Sequence, residues 1–113
     1  MPLTAEIDID KLRRSAGQAC ALLKVLGNSD RLLLLCQMTQ GEYRVGDLEQ
    51  LTGVRQPTLS QQLTVLREHE LVATRREGKA IFYTIASDQA MAVMQVLYAQ
   101  FCAGGKARKG GAK

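Results

Sequence analysis

The stretch that decides the fold runs from residue 45 to residue 68, VGDLEQLTGVRQPTLSQQLTVLRE. Val45, Leu48 and Leu51 recur at steps of three, which predicts a short helix from Val45 to Thr52 with one apolar face. Gly53 and Val54 form the turn that ends it. A second helix is predicted from Pro57 to Glu68. Proline fits the first helical position, where its missing N–H is not needed, and it pushes Gln56 out of the helical region. Leu59, Leu63 and Leu66 face inward on this helix. The other side is a stripe of uncharged hydrogen-bonding groups, Thr58, Ser60, Gln61, Gln62 and Thr64.

Two short helices across a glycine turn have the proportions of a helix–turn–helix. The second helix of such a pair fits the major groove of B-DNA and enters it N-terminus first. Gln56, Thr58, Ser60 and Gln61 lie at that leading end, and amides and hydroxyls of this kind pair with base edges and phosphates. Free N–H groups at the helix start would attract phosphate as well.

Downstream, residues 71 to 76 and 79 to 85 are rich in β-branched and aromatic side chains, with Glu77 and Gly78 between them. They read as a hairpin whose tip carries Arg75, Arg76 and Lys79, cations suited to the DNA backbone or the minor groove. Upstream, Leu12, Ala16, Ala19, Leu22, Leu23 and Leu26 give residues 8 to 26 one apolar face. A further helix, capped by Ser29 or Asp30 and ended by Gly41, holds the run Leu32-Leu33-Leu34-Leu35-Cys36 and should be central. Ser87 or Asp88 caps a last helix over residues 88 to 102. Its apolar residues cover two faces: Ala90, Met94, Leu97 and Phe101 on one, and Met91, Val93 and Tyr98 beside them. A terminal helix has only one core to cover, so the spare face points to a partner helix.

The expected fold is mainly α with a β-hairpin wing, an α+β winged helix–turn–helix whose dimer interface is built from the first and last helices. The domain spans residues 8–103, after a flexible N-terminus at 1–7 and before a disordered basic tail at 104–113. A chain of 113 residues, 46% of them hydrophobic, is one domain with enough apolar surface for a core.

Net charge carries less information than it promises. The formal charge is +4, but Lys106, Arg108, Lys109 and Lys113 lie in the last ten positions, which hold no acid. The rest carries eleven residues of each sign. The case for DNA therefore rests on the motif and not on composition. No apolar run approaches the about 18 residues of a membrane span. The start of the chain is acidic at Glu6, Asp8 and Asp10, unlike an export signal, so a cytosolic location is expected. Three widely spaced cysteines, Cys20, Cys36 and Cys102, are an odd number and read as free thiols, small apolar groups by default. Cys20 shares a face with Ala16 and Leu23, so packing is its expected role. No nucleophile–base pair, phosphate loop or ligand cluster marks an enzyme.

From about residue 18 to residue 102 the chain resembles the ArsR family of bacterial winged-helix repressors. The residues that carry the likeness are ALLKVLGNSDRLLLLC, VGDLEQLTGVRQPTLSQQLTVLREHELV and the wing TRREGKAIFYTI. Gln62 is a departure, since the family often has histidine there in an SQHL run. The resemblance implies a homodimer that represses an operon from a pseudo-palindromic operator on double-stranded DNA and leaves it when an inducer binds. Many members sense metals through a Cys-x-Cys pair or through Asp and His on the last helix. This chain has no Cys-x-Cys, and its one histidine, His69, follows the second helix of the motif. No metal site and no cofactor are expected. Cys36, Cys102 and a carboxylate together would still suit a soft ion, which keeps a metal- or metalloid-responsive repressor as an alternative, beside a winged-helix module that binds protein.

One branch of the family, typified by HlyU, BigR and SqrR, is similar in two further places. It has a cysteine in the LLxLC helix, here Cys36, and another near the end of the last helix, here Cys102 in LYAQFC. That resemblance implies a dithiol sensor of reactive sulfur species or oxidants. A disulfide or polysulfide would join Cys36 to Cys102 within one subunit and lower operator binding. On residue type alone, both cysteines read sooner as inert core groups.

Overall fold

The computed structural model describes residues 7–103. The expected tail at 104–113 and nearly all of the N-terminal segment lie outside them. The order of elements is α1 (Ile9–Leu26), α2 (Ser29–Met38), α3 (Val45–Thr52), α4 (Thr58–Glu68), β1 (Val72–Glu77), β2 (Ala80–Ile85) and α5 (Asp88–Tyr98), followed by a turn of π-helix over Ala99–Ala103. The winged helix–turn–helix expected from the sequence is the fold found.

Local chemistry sets the boundaries. Asp8 caps α1 by accepting from the N–H groups of Asp10 and Lys11. Asn28, not Ser29 or Asp30, caps α2, and its Oδ1 accepts from Arg31 N at 3.0 Å. Gly53 ends α3 in the left-handed region at φ 79°, with its N–H on the Glu49 carbonyl at 2.9 Å. Pro57 stands at the cap of α4, one residue before the helix starts. Ser87 Oγ caps α5 by accepting from Ala90 N at 3.0 Å.

The hairpin is antiparallel, with Val72 opposite Ile85 and Glu77 opposite Ala80. Its turn is Gly78–Lys79 and not Glu77–Gly78, because Gly78 takes the positive φ of 62° and Glu77 stays in the strand. Tyr43 adds a single bridge to β2, exchanging backbone hydrogen bonds with Tyr83 at 3.0 and 2.8 Å. That bridge ties the loop before α3 to the wing.

Leu34, Leu35, Leu48, Leu59, Leu63, Leu66, Met38 and Met94 are almost wholly buried and form the core. α2 packs against α1, α3, α4, α5 and β2, so it is central as expected. α1 leaves most of its apolar face uncovered in the single chain. Only Val25 and Leu26, in its last turn, are buried, while Leu12, Ala16, Ala19, Cys20 and Leu23 are exposed. Leu22 is half-buried against the core, and the part of the stripe before it has nothing within the single chain to lie on. Cys20 therefore does not pack in the core, and Tyr98 is likewise exposed.

Candidate nucleic-acid interface and thiol pair

α4 is held by Leu59, Leu63 and Leu66, which turns Ser60, Gln61 and Thr64 outward. Gln56 is exposed before the helix and Thr58 is half-buried at its start. The helix start satisfies most of its own donors. Leu59 N donates to the Arg55 carbonyl at 2.9 Å, and Gln61 N to the Pro57 carbonyl at 3.2 Å. Ser60 N donates to Gln56 Oε1 at 3.0 Å. The expected cluster of free N–H groups is thus largely used up, and the side chain of Gln56 acts as a cap as well as standing at the leading edge. Arg55, exposed beside it, is a cation on this face that the sequence reading passed over, for want of any periodic signal in a loop.

The wing cations divide into two kinds. Arg75 is occupied within the protein: it meets Glu42 at 2.8 Å and Glu77 at 2.9 Å, and its guanidinium lies over the Phe82 ring at 4.8 Å from the centroid. The Arg75 hydrogen bond holds the Glu42 carboxyl below its ordinary value, and the two carboxylates push Arg75 further up. Arg76 and Lys79 are exposed and make no ion pair among the described residues. Glu42 lies far from the wing in sequence, and the adjacent Tyr43–Tyr83 bridge helps bring it there.

Cys36 lies on α2, which packs against α5, and Cys102 lies on the π-helical turn that follows α5. Cys36, half-buried on α2, sets its Sγ 3.8 Å from Met94 Sδ on α5. Burial raises the Cys36 thiol above its ordinary value, and the negative charge of a neighbouring Cys102 thiolate adds to the rise. Cys102 is exposed, on the π-helical turn after α5. All three cysteines are free. His69 caps the C-terminus of α4 at the surface. Among the described residues no group of three or more His, Cys, Asp or Glu stands close enough to hold a metal ion. No helix among them is long and apolar enough to cross a membrane.

A winged helix–turn–helix with an outward polar helix and a cationic wing tip is the architecture of a DNA-binding regulator. The particular family follows from comparison with known proteins. Residues 28–74 match the family described as "Bacterial regulatory protein, arsR family". The chain is 50% identical over 98 residues to the biofilm growth-associated repressor of Agrobacterium fabrum, an alignment covering 87% of this chain and 84% of that protein. It is 34% identical over 98 residues to the transcriptional activator HlyU of Vibrio cholerae, covering 87% of this chain and 91% of that one. The crystal structure of the transcriptional repressor BigR from Xylella fastidiosa superposes with a TM-score of 0.79 at 44% identity, covering 85% of this chain and 98% of that chain. The chain belongs to the arsR family of transcriptional regulators.

Proposed function

We propose that this chain is a dimeric repressor that leaves its operator when Cys36 and Cys102 are joined by reactive sulfur species or an oxidant. The observation that carries the reading is the contact of Cys36 with Met94 on α5, the helix that leads into the turn holding Cys102, with Cys36 within electrostatic reach of Cys102. The apolar residues left exposed on α1, on α5 and on the π-turn after it, Leu12, Leu23, Val96 and Phe101, support a dimer built on the first and last helices. A 50% identical relative that is named a repressor supports repression over activation.

The two cysteines have different environments and so different roles. Cys102 is exposed and meets the reagent first. As a thiolate it attacks the outer sulfur of a persulfide, R–S–SH, becomes Cys102–S–SH and releases R–S⁻. Cys36, kept protonated by its surroundings, then loses its proton and attacks the inner sulfur of that group. A disulfide forms and hydrosulfide leaves. If Cys36 is itself persulfidated first, the same attack gives a trisulfide and hydrosulfide. With peroxide, Cys102 becomes a sulfenic acid as hydroxide leaves, and Cys36 displaces water from it. A direct disulfide needs Cα atoms about 4.4–6.8 Å apart, and each added sulfur relaxes that limit. The link fixes α2 to the end of α5, and thereby couples the centre of the core to the dimer face and to the placing of the two copies of α4.

Digestion and mass spectrometry after a persulfide donor, and separately after peroxide, test the chemistry. A Cys36–Cys102 cross-linked peptide is the expected product, a disulfide with peroxide and a disulfide or trisulfide with the persulfide donor. Two thiols that stay alkylatable throughout contradict the reading.

A further inference from the structure

Arg31, in the first turn of α2, joins three helices. Its Nε donates to the Val25 carbonyl at 2.6 Å, and one terminal nitrogen donates to Gln62 Oε1 at 2.8 Å. The Val25 carbonyl lies in the last turn of α1, where no intrahelical partner exists. The neighbouring carbonyls of Lys24 and Leu26 are taken by the N–H groups of Gly27 and Asn28, so Arg31 completes that helix end. Gln62 is on α4 but half-buried, unlike exposed Ser60 and Gln61. Its acceptor oxygen is spent inward, on a cation that also grips α1.

We infer that Arg31 and Gln62 are positioning residues, which together set how the groove-entering helix is held against α1 and α2, and that Gln62 does this instead of reading a base. The inference rests on the operator-binding reading above. A charged donor with a carbonyl and an amide oxygen at these distances is a strong, directional joint between packed helices. A change in how α1 or α2 sits reaches α4 through this joint before it reaches any residue on the outer face.

The test uses a duplex that the wild-type protein selects from a random-sequence library, with an unselected duplex of equal length as reference. Gln62→Met removes the acceptor at similar size and should weaken the selected complex about tenfold. Binding to the unselected duplex and the salt slope should not change, because no phosphate contact is lost. The variant should select the same consensus as the wild type. Gln62→Glu keeps the acceptor and should stay within about threefold of the wild type. Arg31→Met combined with Gln62→Met should be no weaker than Arg31→Met alone. If Arg31→Met does not fold by circular dichroism, the two Gln62 variants decide. A Gln62→Met protein that binds as the wild type, a consensus that loses one base pair, or a Gln62→Glu protein as weak as Gln62→Met overturns the inference. A wild-type protein that selects no sequence removes both the operator reading and the positioning role built on it.

Discussion

The Cys36 thiol lies 3.8 Å from the Met94 thioether, so α2 meets α5 through two sulfur atoms in a half-buried contact. Burial there, with the Cys102 charge, raises the Cys36 pKa. Alkylation at neutral pH should therefore label Cys102 well before Cys36, read by mass spectrometry over time. The same shift has a sign in stability. Below the ordinary thiol value both folded and unfolded chains keep the proton. Above it the unfolded chain ionises first, so stability falls with rising pH until the folded thiol also ionises. Urea unfolding as a function of alkaline pH should show a steeper loss for the wild type than for Cys36→Ser. Equal slopes would contradict the shift.

Arg75 is engaged by Glu42 and Glu77, whereas Arg76 and Lys79 have no ion pair among the described residues. Arg76→Ala and Lys79→Ala should each lower the salt slope of DNA binding by about one. Arg75→Ala should change the slope less and loosen the wing instead, lowering thermal stability slightly. Because Glu42 is held below its ordinary pKa by Arg75, its tie to the wing is present above the ordinary carboxylate range and is lost as pH falls through the lowered value. A larger slope change for Arg75 than for Arg76 would mean that DNA displaces Glu42.

Gln56 and Gln61 should part under mutation. Gln56 Oε1 caps the Ser60 N–H, so Gln56→Ala should cost about 1 kcal/mol of stability in urea unfolding. Gln61 is exposed on the outer face. Gln61→Ala should leave stability unchanged and relax selectivity at one position of the half-site, by about 1–3 kcal/mol in competition binding.

The outer face of the last helix is the most economical test of assembly. Val96 is 59% exposed and Phe101 78% exposed, values unusual for apolar residues of a lone domain. Val96→Glu and Phe101→Glu should shift the protein from dimer to monomer in sedimentation and weaken operator binding with it. A dimer that persists through both would move the interface elsewhere.

Much of this molecule was legible in its sequence because the deciding signals are local. Gly53 and Pro57 bracket the turn, and leucine spacing gives α3 and α4 their inner faces. β-branched runs around Gly78 mark the wing. What the pattern could not show depends on contacts across the chain. The Leu12–Leu26 stripe reads as one apolar face, but only its end, from Leu22 to Leu26, meets the core, and helical periodicity does not say whether the surface that covers the rest belongs to the same chain. The Glu42–Arg75 and Arg31–Gln62 pairs join residues more than thirty positions apart, beyond the reach of any short motif. The last helix was expected to run unbroken to residue 102. It widens into a π-turn at Ala99, which re-aims Phe101 and Cys102 without any glycine or proline to announce it.

Operator affinity before and after a persulfide donor, measured for the wild type and for Cys36→Ser, tests the central claim most directly. The reduced wild type should hold the selected duplex, lose at least about tenfold in affinity after treatment, and recover with dithiothreitol. Cys36→Ser should bind when reduced and be unmoved by the donor. Equal release of the wild type and Cys36→Ser would contradict the dithiol account, and would leave a DNA-binding regulator governed by something other than this pair of thiols.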